Sequence, residues 1–245
     1  MHNRRIFPTL TILNDDLVKT INYKNPKYLG DPINAIRLFN NKNIDEICII
    51  DISPRFIPNF KINKKLFLAM AREAFLPLSY GGNILTQADA KEIIDIGFEK
   101  VIINSMFHKN IKDILPIVKQ LGSQGVVLKI DYTFINNSYH FFTEGKIGNK
   151  IEVSDFISKI KETQIGELIL SRVDFDGMMN GFDTIFPINI KSQLNIPVVL
   201  CHGAKDKLSF IEAEKKMFNN FTSSSIFVYF GNLKAVLINN PFEHE

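Results

Sequence analysis

Eight short apolar runs recur along the chain with a helix-length segment after each of the first seven, and this alternation restricts the fold more than any single motif. The runs cover 6–12, 46–52, 75–80, 100–105, 125–131, 167–173, 196–202 and 224–230. Between them, segments 32–42, 63–74, 86–97, 110–121, 153–164, 184–193 and 206–218 carry apolar residues at spacings of three and four, as in AKEIIDIGF at 90–98. Eight strands alternating with helices in 245 residues predict an α/β fold, a (β/α)8 TIM barrel occupying 1–245 as one domain. A doubly wound sheet also alternates but rarely needs eight strands at this length. The tail GNLKAVLINNPFEHE offers at most one short helical turn, so the last strand is expected to lack a full covering helix.

Two connections are too long for ordinary strand-to-helix loops. Residues 13–31 are expected to form either a lid or a disordered segment. Residues 132–152 contain the alternating run SYHFFTEG, which suggests a hairpin after the fifth strand. An offset near 121 residues relates Gly82 to Gly203 and Asn104 to Ser225, and one of 120 relates Thr11 to Asp131. Such a constant offset predicts two fused half-barrels of four strands each.

In a barrel, chemistry belongs at the C-terminal ends of the strands. Those ends carry Thr11, Asp51, Gly81-Gly82, Asn104-Ser105, Asp131, Asp174, Asp176, Gly203 and Ser224-Ser225. The loop DFDGMMNGFD at 174–183 adds Gly177 and Gly181. Backbone amides beside glycine, together with small hydroxyl and amide side chains, suit phosphate oxygens, and the repeat implies a ligand with a phosphate at each end, with glycines that merely relieve crowding at strand exits as the competing reading. Asp131, delivered to the mouth by VVLKID, is the best candidate general acid or base, with a turn-capping Asp as the competing reading. Lys19, in the first long connection, is a candidate anion clamp, with a simply solvated loop lysine as the competing reading. Cys201 and His202 are adjacent, so on a strand they point to opposite faces and form no dyad. No His and Cys spacing resembles a zinc site, and no cofactor is implied.

Arg5, Glu46, Lys100 and Glu167 each stand at the start of a strand (the first, second, fourth and sixth). Charges there ordinarily make a solvated rim; four alternating charges converging on the axis would instead close into a ring. Composition narrows the partners. The net charge of +3 and the absence of basic clusters argue against nucleic acid. No apolar run approaches 18 residues, so no membrane span is expected. The two cysteines sit in apolar runs and read as buried thiols of a cytoplasmic protein.

RIFPTL (5–10), LVKT (17–20), GDP (30–32), DEICIIDI (45–52), Gly81-Gly82, KVIIN (100–104), IDY (130–132) and DFDGMMNGFD (174–183) together resemble the HisF family. That family is the cyclase subunit of imidazole glycerol phosphate synthase, and the likeness runs over nearly the whole chain. It implies a two-fold barrel with a phosphate site in each half. It also implies ammonia arriving from a HisH-like glutaminase docked at the N-terminal face. On this resemblance Arg5, Glu46, Lys100 and Glu167 match the ammonia gate, Lys19 the substrate-clamping lysine and Asp131 one of two catalytic aspartates. The other should stand at position 11, where this chain has Thr11. Asn83 and His202 replace glycines, and Arg172 is a further departure. Each adds bulk at the mouth, and Arg172 and His202 are expected to add positive charge.

Residues 17–40 and 225–239 are similar to a branch found in surface-polysaccharide gene clusters. There a HisH-like and a HisF-like protein are thought to feed ammonia to a separate sugar amidotransferase that makes an acetamidino group. The resemblance therefore implies an ammonia-channelling barrel, with a phosphate-bearing ligand at a mouth that has lost one acid/base group. A true imidazole glycerol phosphate synthase cyclase, a lyase of histidine biosynthesis, is the alternative. A scaffold that only activates the glutaminase is the third reading.

Overall fold

The computed structural model describes residues 4–54, 62–231 and 234–242. The chain opens with β1 (Arg5–Leu13), β2 (Asp16–Ile21), β3 (Lys24–Gly30) and α1 (Pro32–Phe39). Next come β4 (Ile47–Asp51), α2 (Lys64–Glu73), β5 (Leu78–Gly81), α3 (Gln87–Ile96), β6 (Lys100–Ile103), α4 (Ser105–Lys109) and α5 (Ile114–Leu121). The second half has β7 (Val126–Ile135), β8 (Ser138–Thr143), β9 (Lys146–Lys150), α6 (Val153–Thr163), β10 (Glu167–Arg172) and α7 (Ile185–Lys191). It ends with β11 (Val198–Cys201), α8 (Lys207–Glu214), β12 (Asn220–Ser223), α9 (Ser225–Val228), β13 (Tyr229–Phe230) and β14 (Ala235–Val236).

Strands β1, β4, β5, β6, β7, β10, β11 and β12 pair in parallel in that order. Pairing of β12 with β1, Arg5 opposite Asn220 through Pro8 opposite Ser223, closes the barrel. The expected fold is borne out. Each half begins with a strand prolonged by an antiparallel hairpin: β2–β3 on β1 and β8–β9 on β7. Paired left-handed residues make both first turns, Asn14-Asp15 in one half and Asn136-Asn137 in the other. The long connection 13–31 is thus ordered structure over the mouth, and SYHFFTEG forms the hairpin expected of it.

Alternation along each strand separates two cores. Phe7, Cys48, Ile102, Val127, Ile169, Val199 and Cys201 point into the bore. Leu10, Ile49, Tyr80, Val101, Leu128 and Leu170 point outward against helices such as α3, whose buried Ala90 and Ile93 complete the layer. Thr86 and Asp89 cap α3 reciprocally, and Gly97 ends it at φ 120°. Burial of each large side chain contributes roughly 1.5–3 kcal/mol.

The run 224–230 is not the eighth strand. That strand is the more polar Asn220–Ser223, in which Phe221 packs outward and Thr222 faces the bore. Ser225–Val228 is a single helical turn with all four side chains buried, which explains its apolar character without a strand. No full helix follows among the described residues, as the tail predicts. Instead Asn240 donates to the Lys42 carbonyl (2.6 Å) and Phe242 packs on Phe210 and under Arg4. Among the described residues no helix is long and apolar enough to cross a membrane.

Candidate functional site

At the N-terminal end of the bore the four strand-start charges form a closed ring. Arg5 donates to Glu46 (2.6 Å) and Glu167 (3.1 Å), and Lys100 reaches the same two carboxylates at 2.9 and 3.4 Å. Burial opposes the Arg5 charge, but Glu46 and Glu167 outweigh it and hold the guanidinium above its usual range. The Arg5 guanidinium also lies 4.6 Å from the ring centre of Phe7, the first apolar layer of the bore.

At the opposite end, Asp176 fastens the β2–β3 hairpin across the mouth. Its carboxylate accepts from Lys19 Nζ (2.6 Å), Thr20 Oγ1 (2.8 Å) and the Tyr23 amide (3.2 Å), while its carbonyl accepts from the Asn22 amide (3.0 Å). The Asp176 and Lys19 side chains are 1% and 2% exposed. Burial alone would raise the Asp176 carboxyl; the His202 and Lys19 charges and these hydrogen bonds outweigh it and hold the group below its ordinary value. His202 is itself buried, which lowers it to about 4, so near neutrality it carries no charge and Lys19 is the effective partner.

The hairpin tip then delivers Tyr23, in a left-handed conformation at φ 60°, into the top of the bore. Its hydroxyl lies 2.7 Å from Asp131 Oδ1, 2.7 Å from Ser171 Oγ, 3.2 Å from His202 Nε2 and 2.8 Å from Lys129 Nζ. Burial, then the Asp131 charge, push the phenol well above its usual value, so it remains protonated and donates. Asp131 also accepts from Asn104 Nδ2 (2.7 Å) and forms an ion pair with the buried Lys129. Burial opposes the Lys129 charge, yet Asp131 overcomes it and holds the ammonium above its ordinary value.

Around this cluster lies a cavity of about 540 Å³. Thr9, Thr11, Gly81, Gly82, Asn83, Asn104 and Ser105 line one side, and the β8–β9 tip (Thr143–Gly145) closes it from above. Asp176, His202 and Ser224 reach it from the other half, whereas Gly177, Gly203 and Ser225 do not line it. A Cβ added at Gly177 (φ 77°) would stand 3.0 Å from the Thr20 carbonyl oxygen, and Gly203 (φ 95°) packs on the Gly181 backbone. Gly82 (φ 120°) is likewise pressed on the Asp51 carbonyl. A methyl at position 203 would fall on the Gly181 oxygen, in a backbone region alanine disfavours. Gly203→Ala is therefore expected to destabilise the fold by about 1–3 kcal/mol in urea denaturation.

Comparison with known proteins identifies the family. The family model "Histidine biosynthesis protein" matches residues 5–234. A Pseudomonas aeruginosa protein provisionally named imidazole glycerol phosphate synthase subunit hisF2 is 37% identical over 244 residues, 98% of this chain and 97% of the relative. The HisF subunit of Pyrococcus furiosus imidazole glycerol phosphate synthase is 31% identical over 229 residues, 92% and 90% of the two chains. The chain belongs to the HisF family.

Within that family the mouth has particular features. Arg172 does not add charge to it: the side chain points away from the bore and pairs with Asp174 (2.9 Å) and Asp183 (3.3 Å), stacked on Phe175. Nor does His202, which is neutral near pH 7. Asp174 joins this outer network through Thr133 (3.1 Å) and, unlike Asp176, lies outside the cavity lining. Cys201 and His202 form no dyad; burial pushes the thiol up to about 12. The sequence pattern alone does not single out Tyr23 or Lys129. Lys129 was legible in principle, because a lysine two residues before an inward-facing Asp131 must also face inward.

Proposed function

We propose that this HisF-family chain is the barrel subunit of a glutamine-dependent amidating complex. A HisH-like glutaminase docks at the N-terminal face, and ammonia crosses the Arg5–Glu46–Lys100–Glu167 ring and the bore. It is then delivered for amidation, in the manner of acetamidino-sugar formation by a separate amidotransferase. The observation that carries this reading is the contrast between the two ends. The charge ring is complete, while the mouth has Thr11 at one acid/base position and an Asp131 already paired with Lys129 at the other. Phe75, 84% exposed in the loop before β5, and Met217, exposed before β12, offer apolar contacts on the face the glutaminase would cover.

The names of the relatives favour a second reading, a cyclase of histidine biosynthesis in which Asp131 acts with a water. Purified protein supplied with ammonium and the ribulosyl formimino-ribonucleotide substrate separates them. The channelling reading expects cyclisation about 10²–10⁴ below ordinary rates, the cost of a missing general acid or base. Ordinary rates would overturn it. With the glutaminase bound, Lys100→Ala should release ammonia to solvent; unchanged coupling would favour a scaffold alone.

A further inference from the structure

We propose that Lys129 is the residue that decides what this mouth does: it retires Asp131 from acid/base service and makes it the seat of a stopper, Tyr23, that closes the C-terminal outlet of the bore. A buried ammonium at the top of a barrel is costly unless paired. Its partners here are Asp131 and the Tyr23 hydroxyl (2.8 Å), the tip of the hairpin that Asp176 fastens down. Ser171 and His202 hold the Tyr23 hydroxyl, Tyr23 and Lys129 share Asp131 Oδ1, and Asn104 donates to Oδ2. Each Asp131 oxygen thus already has a protein donor, and most of the carboxylate's acceptor capacity is taken. The bore is thus closed twice, by the charge ring below and by Tyr23 above.

Lifting the hairpin breaks the Tyr23 contacts together and takes one donor from Asp131 and one partner from Lys129, both of which line the cavity. The purpose of such a seal, retaining a small neutral molecule until an acceptor is ready, rests on the conduit reading; its existence does not.

The two cysteines of the chain lie in the bore and report on it. Both are buried and free, and burial pushes both up to about 12, so they react slowly while the stopper is seated. Labelling of Cys201 by methyl methanethiosulfonate, followed by mass spectrometry, should be at least tenfold faster in Tyr23→Ala than in the parent protein. Lys129→Met should behave similarly and Tyr23→Leu should fall between. Tyr132→Phe, which removes an outer hydrogen bond to Asp183 and leaves the tip intact, should keep the parent rate. Circular dichroism identifies the folded variants; Tyr23→Leu serves if the alanine variant does not fold. Parent-like labelling in a folded Tyr23 variant would overturn the proposal, as would parent labelling within tenfold of the urea-unfolded chain. Faster labelling in Tyr132→Phe to the same degree would also overturn it, by reducing the effect to global destabilisation. A seal present without any ammonia leak in Lys100→Ala would sink the conduit reading and leave this one standing.

Discussion

Asp176→Ala is expected to destabilise the protein by about 3–5 kcal/mol, the cost of breaking a buried ion pair from one side. The carboxylate has Lys19, Thr20 and the Tyr23 amide as donors, and its loss leaves the Lys19 ammonium, among the described residues, with the Thr20 carbonyl at 2.6 Å as its hydrogen-bond partner. Asp176→Asn keeps the shape and part of the hydrogen bonding, so it should lose less. Urea denaturation followed by circular dichroism gives both values. The pH dependence has a definite sign. Because Asp176 lies below its ordinary value in the fold, its contribution is complete above the unfolded carboxyl value of about 3.9 and disappears as pH falls through the lower folded value. The acid limb of the stability curve should flatten in Asp176→Asn. An unchanged acid limb would mean that the Lys19 pair does not form in solution.

The second large effect concerns chemistry. Thr11 and Asp131 both line the cavity, yet Thr11→Asp alone is expected to raise cyclisation less than tenfold, because Asp131 remains held by Lys129 and Tyr23. Adding Lys129→Ala removes that ion pair. The double variant should gain about 10²–10⁴ in cyclisation rate over the parent, the usual contribution of a positioned acid/base group. Steady-state rates with ammonium and the ribonucleotide substrate test this. A full gain from Thr11→Asp alone would show that the Lys129 pair is no obstacle.

The barrel was legible because its signal is periodic and repeated: strand alternation and helical spacing reinforce one another over eight units. The charge ring was legible as four positions, but whether those charges met required the closed bore. The eighth strand departs from the expected 224–230 because local apolarity is greatest in Ser225–Val228, a buried turn, rather than in Asn220–Ser223, whose inward positions are polar. The mouth was least legible. Tyr23 reaches Asp131 across 108 residues only because two left-handed residues turn the hairpin tip inward, and no short-range pattern announces that. Arg172 misled for the opposite reason: a charge near the mouth in sequence was aimed at Asp183 outside it.

The two hairpins carry one more implication. The frame repeats so closely that each half prolongs its first strand in the same way, but their tips differ. One sends Tyr23 down to the axis, and the other holds Glu144-Gly145 at the cavity edge. A mouth with true two-fold symmetry would accept an elongated molecule in either direction. This one has a blocked side and an open side, so whatever enters must present a defined end first. The duplicated scaffold supplies the walls, and the unequal hairpin tips give it polarity.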